Sequence, residues 1–197
     1  MDEVKSTFTR EFIRAEAKKR REDFANWMAV PGGPLGESQV EELARSLART
    51  DFFSAPASTK YHGNYPGGLY DHSLAVMKNL LTLTDKLGLK WILKRSPYIV
   101  GMFHDLCKIG MYVYNKTEGK YEYNDGMVLP GHGDRSVIIA QQLGLDLTTE
   151  EIMCIRWHMG AFDDKAMWDY YGRAIEHNPN VLWTHTADMM ASRIDKV

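Results

Sequence analysis

Seven histidines punctuate the 197-residue chain: His62, His72, His104, His132, His158, His177 and His185. A lone imidazole on an apolar helix is usually a hydrogen-bonded core residue, so the company each one keeps decides its reading. His104 stands beside Asp105, at the end of an apolar stretch through Ile99, Val100, Met102 and Phe103 and just ahead of Lys108 and Gly110. Neighbouring side chains on a helix diverge by about 100°. Both can line one cavity only where the helix faces a shared pocket, and there an aspartate could bridge two cations through its two oxygens. His185 and Asp188 are three residues apart, which sets them on one helix face, among Trp183, Ala187, Met189 and Met190. A carboxylate in such apolar company needs a partner, because an unpaired buried charge is costly. A metal ion would serve, and so would Arg156 or Arg193.

The elements that must position these groups are mostly helices. Apolar residues at helical spacing and start signals predict helices over about Glu3–Met28, Ser38–Phe53, Leu69–Leu87, Pro97 to the His104-Asp105 pair, and Asp134–Leu143. Thr148-x-x-Glu151 is a capping box opening a helix through His158. A further helix is expected over Asp163–Glu176, and Asn178-Pro179 opens a last one through Ile194. Pro31-Gly32-Gly33-Pro34 is a break. Tyr112-Val113-Tyr114 and Tyr121-Glu122-Tyr123 flank a polar turn containing Gly119 and predict one β-hairpin, its tyrosines packing across the strands. The expected fold class is all-α, a helical bundle with one small hairpin.

Composition sets outer limits. A hydrophobic fraction of 44% and a charged fraction of 25% are ordinary for a globular chain. The net charge of −2 provides no global basic field for nucleic acid. Cys107 and Cys154 are the two cysteines, too few for a disulfide framework, and they read as small apolar side chains. No apolar run reaches membrane-span length, and Met1 to Arg21 lacks a signal-peptide apolar core. A cytoplasmic protein with no membrane partner is expected.

At this point the sequence resembles a known superfamily. The order His72, His104-Asp105, Asp188 is similar to the defining pattern of HD-domain metal-dependent phosphohydrolases. The likeness runs from about Phe52 to Ala191. Gly67-Gly68-Leu69-Tyr70-Asp71-His72-Ser73 resembles the opening of one subgroup, which includes the HD domain of bacterial 3′-to-5′ exoribonucleases. Met102-Phe103-His104-Asp105-Leu106-Cys107-Lys108 resembles its His-Asp-Leu-Gly-Lys signature, with Cys107 where glycine is usual. Leu129-Pro130-Gly131-His132 and Trp157-His158-Met159-Gly160 fall where that subgroup has two more histidines, and His185-Thr186-Ala187-Asp188 closes the set. The region before Phe52 does not read as the five-stranded oligonucleotide-binding barrel of those exonucleases.

The resemblance implies an HD domain over residues 54–197, with residues 1–53 as a helical extension packed on it. It implies two divalent ions, one held by His72, His104, Asp105 and Asp188, the other by Asp105 as a bridge with His132 and His158. Imidazole and carboxylate donors suit Mn, Fe, Zn, Co or Ni better than Ca. Such ions would activate water for attack on phosphorus. Asp105 and Lys108 are the expected catalytic groups. His62, Arg135 and His185 are the expected contacts to substrate, with His185 also a candidate to orient Asp188. His177, outside every motif, reads as a surface residue. The expected substrate is a small phosphate compound such as a nucleotide. Two other functions follow from the same residues: a nuclease on single-stranded RNA or DNA ends, with tyrosines stacking bases, and a metal- and nucleotide-binding module without turnover. The extension could cap the site or form a homo-oligomer interface.

Overall fold

The computed structural model describes residues 8–29, 34–129 and 131–197. The expected helix start at Glu3, the break over Pro31-Gly32-Gly33, and Pro130 lie outside those residues. Within them the chain is mostly helical with one two-stranded antiparallel sheet. The helices are α1 (Arg10–Met28), α2 (Glu37–Leu47), α3 (Gly68–Leu87), α4 (Ser96–Phe103), α5 (Gly133–Gln142), α6 (Thr149–Arg156), α7 (Trp168–His177) and α8 (Asn180–Met190). Strands β1 (Tyr112–Asn115) and β2 (Lys120–Tyr123) stand between α4 and α5.

Local chemistry sets these boundaries. Thr9 caps α1 by accepting from the Phe12 N–H, and Thr148 with Glu151 forms the complete capping box of α6. Pro97 occupies the first turn of α4. The second helix stops at Leu47, short of Phe53, where the Thr50 hydroxyl donates to the Leu47 carbonyl at 2.7 Å and the chain continues in turns. The helix expected from Asp163 is split: Asp164 caps a short 3-10 turn at Lys165–Met167, and α7 begins after it. Pro179, not Asn178, caps α8; the Asn178 side chain instead accepts from the Asn180 N–H at 3.0 Å. Past Met190 the chain widens into one π-turn, Ala191–Asp195.

One apolar cluster runs through α1 to α8, with α3 packed between α4 and α8. Gly101 lets α4 approach α3 backbone to backbone, since a Cβ there would collide with Met77. Phe24 and Met28 of α1 are fully buried, and the Phe24 ring meets Phe53 and Phe103 edge-on. Burying a side chain of that size contributes about 1.5–3 kcal/mol. Polar links reinforce this packing beside His72: Arg20 forms a two-pronged pair with Asp71, both contacts 2.8 Å, and the Tyr70 hydroxyl donates to Asp23 at 2.7 Å. The N-terminal helices therefore share the core of the rest of the chain.

A buried acidic pair ties α4, α6 and the start of α8 together. Glu150 accepts from the Ile92 N–H and from the amides of Asn178 and Asn180. Glu151 accepts from Arg95, Ser96 and the Thr148 N–H. In the hairpin, Tyr112 pairs with Tyr123 and Tyr114 with Tyr121, both with ring centroids 5.2 Å apart. Among the described residues no helix is long and apolar enough to cross a membrane.

Candidate metal centre

His72 lies in the second turn of α3, His104 and Asp105 follow the end of α4, His158 follows the end of α6, and Asp188 sits on α8. These five meet in the middle of the molecule. His72 Nε2 is 3.1 Å from Asp188 Oδ1, 3.3 Å from His104 Nε2 and 3.6 Å from Asp105 Oδ2. His104 Nε2 is 3.5 Å from Asp105 Oδ2. His158 Nε2 is 3.5 Å from the other carboxylate oxygen, Asp105 Oδ1. The three rings are fully buried and Asp105 is 2% exposed. His104 and Asp105 reach one cavity because the chain tightens from α-helix to the 3-10 turn Leu106–Lys108 at this point.

The ring protons can be assigned from the hydrogen bonds. His72 Nδ1 faces the Val197 carbonyl oxygen at 2.9 Å, His104 Nδ1 that of Gly101 at 2.8 Å, and His158 Nδ1 that of Ile155 at 2.7 Å. A carbonyl only accepts, so each ring donates from Nδ1 and, when neutral, turns an Nε2 lone pair into the cavity. The His72 and His104 lone pairs then face each other, and His158 Nε2 faces a carboxylate oxygen with no hydrogen-bond partner. Acceptors converging on acceptors repel unless a cation or proton lies among them. This outer-nitrogen anchoring is the arrangement of metal-ligating histidines.

The spacing fits an ion. Ligands about 2.1 Å from a metal stand about 3.0–3.5 Å apart on neighbouring corners of an octahedron or tetrahedron, close to the separations above. Three donor groups satisfy mutual proximity: His72, His104 and Asp188; His104, Asp105 and His158; and Asp105, Cys107 and His132. Buried His, Asp and Cys clusters that could hold a metal ion are thus present.

Burial and the neighbouring charges set the protonation of these groups. Burial pushes the His104 pKa down to about 4, so the ring is neutral and able to coordinate. Burial likewise lowers His132. Burial opposes charge on Asp105, but the Lys108 ammonium, 2.6 Å from Oδ2, and the surrounding imidazoles hold its carboxyl well below the usual range. Asp188 is held low in the same way: burial is outweighed by its contact with His72 and the other imidazoles. Burial also works against charge on His158, yet the nearby carboxylates, Asp105 foremost, raise its pKa.

A cleft of about 400 Å³ opens onto Asp105, Asp188 and His132. Lys108 and His62 line it, as do Lys60 and Arg193, which sequence reasoning did not single out as site residues. His62 lies against His72, ring centroids 4.6 Å apart, and its pKa is pushed down to about 4 by burial and then by His72 and Lys108. Tyr112 and Tyr123 edge the opening as well as packing on each other.

Two expected substrate contacts are found elsewhere. The Arg135 guanidinium donates to the carbonyls of Cys107 and Ile109, clamping the turn after Asp105, and is absent from the cleft lining. His185 Nδ1 contacts the His158 carbonyl at 2.7 Å, so it supports the chain at His158 and does not face the cleft. His177 is exposed. Cys107, expected as an inert apolar side chain, has its sulfur 3.7 Å from Asp105 Oδ1 and 3.5 Å from His132 Nδ1. Burial, then the Asp105 charge, pushes its thiol up to about 12. Comparison with protein-family models, curated proteins and solved structures matches nothing to this chain.

Proposed function

We propose that the chain is a metal-dependent phosphohydrolase of the HD type, cleaving a phosphoester in a small phosphate compound such as a nucleotide. The observation that carries this reading is the convergence of three buried Nε2 lone pairs on Asp105 and Asp188 at the floor of an open, lysine-bearing cleft. His72, His104, Asp105 and Asp188 would hold one ion; Asp105, His132 and His158 would hold a second. Divalent ions held there would supply positive charge for phosphate oxygens and acidify water for attack on phosphorus.

The chain's own groups do the rest. Lys108 is buried at the cleft wall, and although burial works against its charge, the Asp105 carboxylate keeps it protonated. It is therefore a fixed donor for a phosphate oxygen or for the departing alkoxide. Lys60 and Arg193 line the same cleft and would neutralise further phosphate charge. Arg135 and His185 act behind the site, fixing the backbone at Cys107 and His158. The cleft volume is in the range of small-molecule sites, which favours a nucleotide-sized substrate.

The test is hydrolysis of a panel of nucleotides, generic phosphoesters and a labelled single-stranded oligonucleotide, with each of Mn, Zn and Co added. Asp105→Ala should abolish activity that the unaltered chain shows. Full activity in that variant would refute the assignment, and release of nucleotides only from the oligonucleotide would move the substrate to nucleic-acid ends.

A further inference from the structure

We propose that Cys107 is a thiolate ligand of the second ion, joining Asp105 and His132 in its donor set. This rests on the metal-centre reading above and goes beyond it, because the resemblance implies only imidazole and carboxylate ligands and a glycine at this position.

The two oxygens of Asp105 face different company. Oδ2 looks toward His72, His104 and Lys108. Oδ1 looks toward His158 Nε2 at 3.5 Å and Cys107 Sγ at 3.7 Å, and that sulfur lies 3.5 Å from His132 Nδ1. His158 Nε2 is fully buried, unpartnered and aimed at Oδ1. With metal–sulfur and metal–nitrogen bonds of about 2.3 and 2.1 Å, sulfur and nitrogen on a tetrahedral ion stand about 3.6 Å apart. The sulfur's two neighbours lie on either side of that value.

The sulfur is also held in place. The Cys107 N–H donates to Ser136 Oγ at 3.0 Å, and its carbonyl accepts from Arg135. The backbone is thus pinned from both sides by α5, the helix that His132 immediately precedes. On coordination the S–H proton leaves for solvent, the sulfur lone pair goes to the cation, and the cation's charge compensates the thiolate. A thiolate softens the site, favouring Zn, Co or Fe(II) over Mn, Mg or Ca.

The experiment strips the chain with a chelator, reloads it with Co(II) and records its absorption. The expected result is a strong near-ultraviolet thiolate-to-cobalt charge-transfer band beside the visible bands of bound cobalt. Cys107→Ser should lose the near-ultraviolet band and keep the visible ones, while Cys154→Ser keeps both. X-ray absorption of the zinc-loaded unaltered chain should show a sulfur neighbour at about 2.3 Å, and this decides the matter even if Cys107→Ser does not fold. Bound cobalt without the charge-transfer band, or zinc with nitrogen and oxygen neighbours alone, overturns the thiolate assignment and leaves the metal centre standing. No bound cobalt at all overturns both.

Discussion

A divalent ion bound in this cavity should stabilise the fold by several kcal/mol, and the amount can be worked from the cavity. Three imidazoles donate their Nδ1 protons to carbonyls and turn lone pairs inward, two at each other 3.3 Å apart and one at a carboxylate oxygen. Of the three, His158 Nε2 is without a hydrogen-bond partner, and one unsatisfied buried polar group costs about 1–3 kcal/mol, which a cation would offset. Mass action sets the scale: a ligand at 1,000 times its Kd stabilises by about 4.1 kcal/mol. For a chain of this size each kcal/mol moves Tm by about 2–4 °C. Adding Zn or Co to chelator-stripped protein should therefore raise Tm by about 8–16 °C. Asp105→Asn keeps the shape of the side chain and removes its charge, and should lose most of that rise. Scanning calorimetry with and without metal reads both. A stripped chain indifferent to every ion, or an Asp105→Asn variant that gains as much as the unaltered chain, would show that the lone pairs are satisfied by protons and that no ion belongs there.

Other consequences follow from the supports around the cavity. Glu151→Ala leaves half-buried Arg95, buried Ser96 and the Thr148 N–H without that acceptor; a loss of about 1–3 kcal/mol is expected in urea unfolding. Gly101→Ala drives a methyl group into the Met77 backbone where α3 and α4 touch, which should cost about 1–3 kcal/mol by the same measurement. His185→Ala removes the contact to the His158 carbonyl, and such outer supports change metal affinity by about 10–100-fold. Titration with Zn should find the second ion weakened by that factor and the first unchanged.

The helical elements were legible because their signals are local. The Thr148–Glu151 capping box, Pro97 and the glycines bounding α3 each act within one turn of chain. The residues His72, His104, Asp105, His158 and Asp188, which the structure brings together, were legible as a set because their order and flanking residues resemble a known pattern. Side-chain direction was not. Arg135 lies three residues after His132, close enough to suggest phosphate, yet its guanidinium turns back to the carbonyls of Cys107 and Ile109. His185 shares a face with Asp188 and still reaches a different neighbour. Cys107 was missed because a continuing α-helix would carry position 107 away from position 105; the shift to a 3-10 turn sets its sulfur beside Asp105 instead. Lys60 and Arg193 join the cleft from segments more than a hundred residues apart, a pairing no local pattern encodes.

The placing of His104 and His158 has a physical reason. Each follows a helix end, and each donates Nδ1–H to a carbonyl three residues back, Gly101 for His104 and Ile155 for His158. The last carbonyls of a helix have no partner within the helix. Here two of them anchor the rings, so one hydrogen bond both satisfies the helix end and fixes the tautomer that coordinates. The same helix ends carry partial negative charge, and α4 and α6 bring theirs to the rim of one cavity already holding Asp105 and Asp188. An anion would be repelled from the floor of such a cavity. A metal ion is one ligand that could answer the helix ends, the carboxylates and the imidazole nitrogens together, and on the proposed function its charge would let a phosphate enter from the cleft side, where Lys60, Lys108 and Arg193 stand.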